Sequence, residues 1–436
     1  MKESQRTTLH FVKSPWAMVI AALVIRLIVM AFAYQSFLDP ALDHKAFGYE
    51  TGRVARSIAT GHGFSSPYSE PTGPTALIPP AYTYLLAGIF KLFGVYTTAS
   101  AIVILTLNNL FSSLTCLPVY LVARRVFGPQ IAVWAGWIWA FFPYAITLPN
   151  VAIWETTLTT LLLTLLVLAT LHLDHSASLQ AWLGYGLLWG VAALSSPTTI
   201  STLPFLGVWI WLRHWRRGRN CTGPAFAAAM IFFATVGPWV WRCSQTYGHF
   251  VPFRSGFGLD FRVGNSDDTR TPSNWNVLPA DNPEELRKLK LVGEPAYMAQ
   301  KQREAKEFIA THPGRFARQT LRRILFTWTG LWDFPPSWTL ADSGLPNVIT
   351  YTLCSFLAFF GIVASIREGR DALIPLLVPL LFIPLVYYIT HADIRFRHPA
   401  DPELVIFLAY GAGILLGKKT KNNETHGQLD ATQVNL

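Results

Sequence analysis

Residues 15–36 read PWAMVIAALVIRLIVMAFAYQS, an apolar stretch whose one charged residue is Arg26. The stretch is long enough to cross a bilayer as a helix, which takes about 20 residues. Similar stretches recur along the 436-residue chain, which is 51% hydrophobic and only 14% charged. Soluble domains carry roughly 25% charged residues, so this composition is typical of a membrane protein. We therefore predict an all-α, polytopic bundle of membrane-spanning helices.

The charge and the cysteines narrow the class of protein further. The formal net charge is +10, but in membrane proteins an excess of Lys and Arg marks cytoplasmic loops, so no nucleic-acid partner is predicted. The four cysteines have no paired spacing, which indicates neither a disulfide framework nor a metal cluster. No nucleotide-binding loop, dinucleotide fingerprint or HExxH or GxSxG motif occurs, so nucleotide-driven transport has no support.

Cationic short loops set the predicted orientation, with both termini in the cytoplasm and about ten spans. The strongest cytoplasmic marker is the arginine-rich loop 213–219. The apolar stretch 77–94 contains Lys91 and starts with a proline pair, and loop parity makes it a non-spanning interfacial or re-entrant helix. The predicted spans are 15–36, 100–123, 130–148, 155–173, 181–196, 200–212, 223–241, 346–366, 372–390 and 402–417.

This topology places nearly all non-membrane mass outside the cell and divides the chain into four parts. The parts are an N-terminal transmembrane module (1–241) whose first outer loop (37–99) carries candidate catalytic acids, an extracytoplasmic loop with an amphipathic helix (242–338), the C-terminal transmembrane helices (339–417) and a cytoplasmic tail (418–436).

The stretch after the first span, residues 39–64, reads DPALDHKAFGYETGRVARSIATGHGF. Asp39 followed by proline is typical of a helix start, and Gly61 is typical of a helix end. On a continuous helix Asp43 and Glu50 would lie two turns apart on one face, with Asp39 one turn before Asp43. We predict a helix along the membrane surface; an amphipathic helix whose acids are merely solvated is the alternative.

The carboxylates Asp43 and Glu50 are candidate catalytic residues. Asp39, His44 and Tyr49 are their neighbours and candidate pocket residues. A row of carboxylates held at a membrane face beside His44 is where we expect chemistry.

Two further stretches carry candidate residues at the same predicted face. Glu155 begins a span behind Trp154 and is a candidate catalytic acid; alternatively it is an ordinary carboxylate at a helix N-terminus. Arg395, Arg397 and His398 precede the last span and are candidate ligands of a donor phosphate, because guanidinium groups bind phosphate oxygens bidentately. Binding of ordinary lipid headgroups is the alternative for these cations.

The long outer loop adds two candidate pocket residues. Asn265 follows Gly264, and Glu294 lies in the sequence GEPAY. Both are predicted to shape a substrate pocket.

These stretches, taken in order, resemble the GT-C superfamily of polytopic glycosyltransferases, in particular the branch of protein O-mannosyltransferases and lipid A aminoarabinose transferases. The similar segments lie at 59–64, 74–76, 79–82, 124–128, 149–155, 264–265, 293–297, 312–313 and 395–399.

The resemblance implies an inverting transfer of a sugar from a polyprenyl-phosphate carrier to a glycan, lipid or protein acceptor, outside a bacterial inner membrane. It maps the first-loop acid to Asp43 or Glu50 and the second-loop acid to Glu155. The chain departs from the family's adjacent Asp-Glu pair, because Asp43 is followed by His44 and Glu50 follows Tyr49. Some members hold a divalent cation between these acids.

Our hypothesis from the sequence makes Asp43 the base, with Glu50 and Glu155 orienting the acceptor or a metal ion. Two rivals use the same outer face. A transporter or flippase would move the lipid-linked sugar without forming a bond, although no internal repeat supports it. A ligase or polymerase would move whole oligosaccharides.

Overall fold

The computed structural model describes residues 13–34, 47–151, 153–176, 178–267, 269, 275–331, 345–370 and 372–417. The regular elements in these ranges are helices. One isolated β-bridge also pairs Ser65 with Pro74. The predicted all-α class is confirmed.

The described residues in the first half of the chain form mainly α-helices. They are α1 (Pro15–Ala33), α2 (Glu50–Ala59), α3 (Pro80–Phe93), α4 (Thr98–Leu114), α5 (Cys116–Phe127), α6 (Pro129–Ala140), α7 (Pro143–Thr147), α8 (Thr156–Leu173), α9 (Leu179–Ser195) and α10 (Leu203–Arg216).

The second half contains one long apolar helix, a group of polar helices and then the last helices of the bundle. They are α11 (Thr222–Tyr247), α12 (Phe257–Gly264), α13 (Pro283–Val292), α14 (Glu294–Thr311), α15 (Pro313–Thr329), α16 (Leu345–Arg367), α17 (Ile374–Phe382), α18 (Leu385–Ile389), α19 (Ile394–Arg397) and α20 (Asp401–Leu415).

Within the described ranges, five helices are long and apolar enough to cross a membrane, and a sixth is added if the bent pair α6–α7 forms one span. The five are Pro15–Ala33, Thr98–Phe127, Thr156–Leu173, Thr222–Tyr247 and Val348–Arg367. The other predicted spans coincide with shorter helices, α9, α10, α17 with α18, and α20, of which Ile374–Ile389 is apolar by the same measure. The ten-span topology and its orientation therefore stay predictions.

Arg26, the one charge in the first span, is buried at the bend of 49° between α6 and α7. At the bend Arg26 donates to three backbone carbonyls: Ala140 at 3.0 Å, Trp139 at 3.3 Å and Ala145 at 3.0 Å. It also donates to Ser112 Oγ at 3.0 Å. The guanidinium thus replaces the hydrogen bonds that a broken helix lacks inside a membrane.

We expect Arg26→Met to destabilise the protein. Methionine fills a similar volume but removes the donor of the Ala140 carbonyl, whereas the Ala145 carbonyl keeps Ser112 Oγ at 2.8 Å and the Trp139 carbonyl keeps the Phe142 N–H at 3.2 Å. One unsatisfied buried polar group costs about 1–3 kcal/mol. Thermal unfolding in detergent measures the effect, with Arg124→Met as a control because Arg124 is exposed on α5. A melting temperature equal to that of the wild type would contradict this role.

The continuous helix predicted across residues 39–61 is wrong. The chain turns at Gly48 (φ 91°) and Tyr49 (φ 49°), and α2 begins only at Glu50. The turn brings the backbone of Gly48 so close to Ile153 that a Cβ atom would lie 2.2 Å from the Ile153 carbonyl oxygen. Glu50 consequently starts a new helix instead of continuing one from the residues before Gly48. The predicted helix end at Gly61 is close to the observed end of α2 at Ala59.

Candidate active site

Four segments that are distant in sequence meet around Glu50, the first residue of α2. Gly48 packs against Ile153, which joins the first outer loop to the segment before α8. The Arg395 guanidinium lies 4.0 Å from the centre of the Trp154 ring, which joins the late loop to the same segment. The fourth segment, before α12, contributes Arg254.

Glu50 is partly buried and faces cations from three segments. Burial raises the pKa of its carboxyl group, while its own backbone N–H and the side chains of Arg53, Arg395 and Arg254 oppose the rise. A carboxylate whose pKa is raised toward neutral pH is suited to accept a proton.

Arg254 and Asp260 are site residues that the sequence analysis missed. They form an ion pair of 3.1 Å, and Arg254 Nε donates to the Leu77 carbonyl at 3.1 Å. Burial alone would lower the pKa of Arg254, but Asp260, Glu155 and Glu50 are among the groups that raise it. The polar loop that contains the pair has no motif around these positions, so only the fold reveals their proximity to the acids.

Glu155 lies directly before α8 and next to Trp154, so the stacking of Arg395 on Trp154 brings it near the late loop. Its charge also acts on Arg254. The structure thus brings Glu50 and Glu155, two of the predicted catalytic acids, into one electrostatic environment. Their catalytic roles stay predictions.

Arg395 interacts with Asp393, two residues before it in the chain. Asp393 accepts the Arg395 backbone N–H at 2.9 Å as the cap of α19, and its carboxylate lies 3.9 Å from Arg395 Nε. The side chain stays 24% exposed, and its guanidinium faces Trp154 and Glu50. It is therefore placed to bind an anion at the site.

Arg397 and His398 point into the bundle. Arg397 is 1% exposed, with its Nε 2.7 Å from Asp401 Oδ1 and its guanidinium 4.0 Å from the Tyr351 ring centre. His398 is fully buried and has its Nδ1 3.0 Å from the other carboxylate oxygen of Asp401, while its ring stacks on Trp139. Both side chains are held by protein partners, so a direct contact with donor phosphate stays a prediction.

Asn265 and Glu294 are also bound to the protein. Asn265 Nδ2 donates to the carbonyls of Phe261 and Ile389, each at 2.8 Å, which ties α12 to the end of α18. Glu294 joins the first outer loop to the long one; its donors are Thr75 Oγ1 (2.6 Å), Ala76 N (3.1 Å), Tyr247 OH (2.6 Å) and Ser255 Oγ. Their predicted place in a substrate pocket is not tested by these contacts.

The remaining predicted residues belong to the first outer loop. Tyr49 is partly buried and occupies the N-cap position of α2 without a capping hydrogen bond from its side chain. Asp39, Asp43 and His44 lie outside the described residues. In the part of the chain that the structure describes, no group of three His, Cys, Asp or Glu side chains could hold a metal ion.

Comparison with known proteins identifies related sequences and folds. The family of dolichyl-phosphate-mannose-protein mannosyltransferases matches residues 78–241, the segment that runs from the first outer loop into α11. The predicted resemblance is confirmed. No curated protein matches the chain.

Solved structures match nearly the whole chain. The apo oligosaccharyltransferase of Archaeoglobus fulgidus covers 93% of this chain at 15% identity and a TM-score of 0.56. The same enzyme with an inhibitory peptide and a dolichol-phosphate covers 95% at 14% identity and a TM-score of 0.50. The chain spans about half the length of that enzyme, 51% and 52% respectively. At these identities the similarity shows the fold alone.

ArnT from Cupriavidus metallidurans bound to undecaprenyl phosphate also matches. The match covers 89% of this chain and 77% of that one, with 16% identity and a TM-score of 0.38.

Proposed function

We propose that this protein is an inverting glycosyltransferase of the GT-C type, which moves a sugar from a polyprenyl-phosphate donor to a glycan, lipid or protein acceptor on the extracytoplasmic face. The observation that carries the proposal is the meeting of Glu50 with Arg395 and Arg254 at the junction of the four segments described above. The mannosyltransferase family match and the fold support it.

The proposed reaction forms one bond and breaks one bond at the anomeric carbon. The acceptor oxygen attacks that carbon and gives its proton to Glu50, while the bond to the phosphate oxygen breaks and polyprenyl phosphate leaves with the electron pair. The transition state resembles an oxocarbenium ion. Phosphate leaves as an anion, so it needs charge neutralisation more than protonation, and the proposal gives this role to Arg395 and Arg254.

Glu155 has the role of orienting the acceptor in this proposal. Its position before α8, next to the Trp154 ring on which Arg395 stacks, supports this assignment. Paired variants decide between the two candidate bases: Glu50→Gln and Asp43→Asn are compared under saturating donor. The variant with the larger loss of turnover identifies the base.

A divalent cation would require oxygen ligands of the kind that Glu50 and Glu155 offer. Among the described residues, however, no third acidic or histidine side chain joins them in a group that could hold a metal ion. Asp43, the other candidate ligand, lies outside the described residues, so metal use stays a prediction.

Reconstitution tests the proposal directly. Purified protein in proteoliposomes is supplied with polyprenyl-phosphate sugars, and the products are identified by mass spectrometry. Transfer of one sugar to an acceptor supports the proposal. Movement of the lipid-linked sugar without a new glycosidic bond would instead make the protein a flippase, and transfer of a whole oligosaccharide would make it a ligase or polymerase.

We expect Arg395→Gln to lower kcat by roughly 10²–10³-fold, the usual cost of removing one group that stabilises charge in a transition state. Arg395→Lys keeps the charge and should recover part of the loss. Turnover of the reconstituted protein measures both, with Arg318→Gln as the control because Arg318 is exposed on α15. Equal turnover in Arg395→Gln and in this control would remove Arg395 from the mechanism.

A further inference from the structure

The Glu294 carboxylate is a buried group that the proposed reaction does not use. Glu294 is 6% exposed and is the first residue of α14. An acid at a helix N-terminus commonly interacts with the helix dipole and with solvent. Glu294 instead accepts four hydrogen bonds from outside its own helix, and the donors are Thr75, Ala76, Tyr247 and Ser255. Hydrogen bonds to an ionised group are roughly twice as strong as those between neutral groups, so this carboxylate joins segments that are distant in sequence.

Two of the four contacts fix the first outer loop at Thr75 and Ala76. Thr75 Oγ1 donates to Glu294 Oε2 at 2.6 Å, and the Ala76 N–H donates to Oε1 at 3.1 Å. Thr75 Oγ1 also accepts the Leu77 N–H at 3.0 Å. The side chains of these three loop residues are buried. The Thr75 hydroxyl therefore connects the backbone of Leu77 to Glu294.

A third contact fixes the segment that contains Arg254. Ser255 Oγ donates to Glu294 Oε1, and the Ser255 N–H donates to the Ala76 carbonyl at 2.9 Å. Arg254 Nε donates to the Leu77 carbonyl at 3.1 Å. The two segments thus pair with each other beside the Glu294 carboxylate. Glu294 contacts both of the segments whose pairing holds the Arg254 side chain.

The guanidinium of Arg254 is closely surrounded. A Cβ atom at Gly256 would lie 2.8 Å from Arg254 Nη2 and 2.9 Å from Leu77 Cδ1. Arg254 Nη2 is also 3.1 Å from Asp260 Oδ2. Because a carbonyl binds Nε and a carboxylate binds Nη2, a shift of either paired segment would move the cation away from its present place.

We propose that Glu294 is a positioning residue, which sets the place of Arg254 at the candidate active site and does not touch the substrate. This inference rests on the proposed glycosyl transfer, in which Arg254 helps to neutralise the leaving phosphate. The carboxylate acts by two routes. One runs through Thr75 to Leu77, whose carbonyl binds Arg254, and the other runs through Ser255, the residue next to Arg254. In the substrate-pocket role that the sequence suggested, Glu294 would contact the sugar or the acceptor instead.

A double-mutant cycle on turnover tests the action through Arg254. Glu294→Gln should lower kcat by roughly 10²-fold, which a misplacement of about 1 Å can cause, and should leave KM nearly unchanged. Adding Glu294→Gln to Arg254→Gln should then change kcat by no more than about twofold. Glu307→Gln is the matched control, because Glu307 is exposed on the same helix. Losses of kcat that multiply, a higher KM with unchanged kcat, or equal turnover in Glu294→Gln and the control would overturn the inference.

Two substitutions of Thr75 separate positioning from a general loss of structure. Thr75→Ser keeps the hydroxyl that joins Glu294 to Leu77, so it should retain most of the wild-type turnover. Thr75→Val keeps the shape of the side chain but removes the hydroxyl, so it should lower kcat in the same way as Glu294→Gln. Equal turnover of the two variants would overturn the route through Thr75.

Hydrogen–deuterium exchange of the full chain in detergent tests the same contacts without any transfer reaction. Because the Ser255 N–H is bonded to the Ala76 carbonyl, Glu294→Gln should speed exchange in a peptide that contains Ser255 and leave peptides from α16 unchanged. Unchanged exchange at Ser255, or an equal increase in the α16 peptides, would overturn the positioning role. A wild type that transfers no sugar would contradict the proposed function, and the exchange measurement distinguishes that failure from a failure of the positioning role.

Discussion

Replacing Glu50 by glutamine is expected to reduce glycosyl transfer by about 10²–10⁴-fold, the usual contribution of a positioned general base. Glutamine keeps the size of the side chain but cannot accept the acceptor proton. Turnover in the reconstituted assay measures the loss. Glu70→Gln is the matched control, because Glu70 lies in the same outer loop, is 55% exposed and pairs with Lys290. A similar rate in both variants would exclude Glu50 as the base.

The pH dependence of kcat/KM in the wild type should also identify Glu50 as the base. Glu50 must be ionised to act as a base, and burial raises its pKa above the ordinary range of a glutamate. The value of kcat/KM should therefore fall as the pH drops through the pKa of Glu50 and reach a plateau above it. Glu50→Gln should remove this limb of the profile, while Glu155→Gln should leave it in place.

Arg397→Met is expected to unfold the protein at lower temperature, in contrast to Arg395→Met. Arg397 is the cationic partner of the fully buried Asp401 and also donates to the Thr327 carbonyl at 3.1 Å and to Ser355 Oγ at 3.2 Å. Removing one member of a buried ion pair costs about 3–5 kcal/mol, because the remaining charge is left uncompensated. Thermal unfolding in detergent measures the difference.

The control for this prediction is the neighbouring arginine. Arg395 is 24% exposed, so Arg395→Met should change the melting temperature little while it impairs transfer. If Arg397→Met kept the stability of the wild type and bound the polyprenyl-phosphate donor more weakly, Arg397 would be a phosphate ligand as the sequence suggested. The two arginines thus provide a test that separates folding from chemistry.

The sequence predicted the helical membrane class because the length and composition of the apolar stretches determine it. It also placed Glu50, Glu155 and Arg395 at one face, since loop charge sets the side of each segment without any knowledge of packing. It could not distinguish Arg395 from Arg397, because an Arg-Phe-Arg pattern does not show which arginine points into the bundle. The structure assigns Arg397 to Asp401 and Arg395 to Trp154.

The errors in the prediction have local causes. The helix from Asp39 to Gly61 was expected from the residues at its two ends. The backbone instead has positive φ angles at Gly48 and Tyr49, where Gly48 packs closely against Ile153. Ile153 lies 105 positions further along the chain, so the local sequence does not reveal this contact. The Arg254–Asp260 pair was missed for a similar reason. Its significance comes from the acids it faces, and those acids lie in other segments.

The four-segment junction also has a consequence for biogenesis. Glu50 is synthesised early, whereas its partners Arg254 and Arg395 follow some two hundred and more than three hundred residues later. A ribosome-bound intermediate that has inserted only the early helices therefore carries an acid without its opposing cations. The proposed transfer should therefore become possible only after the late segment has docked on Trp154.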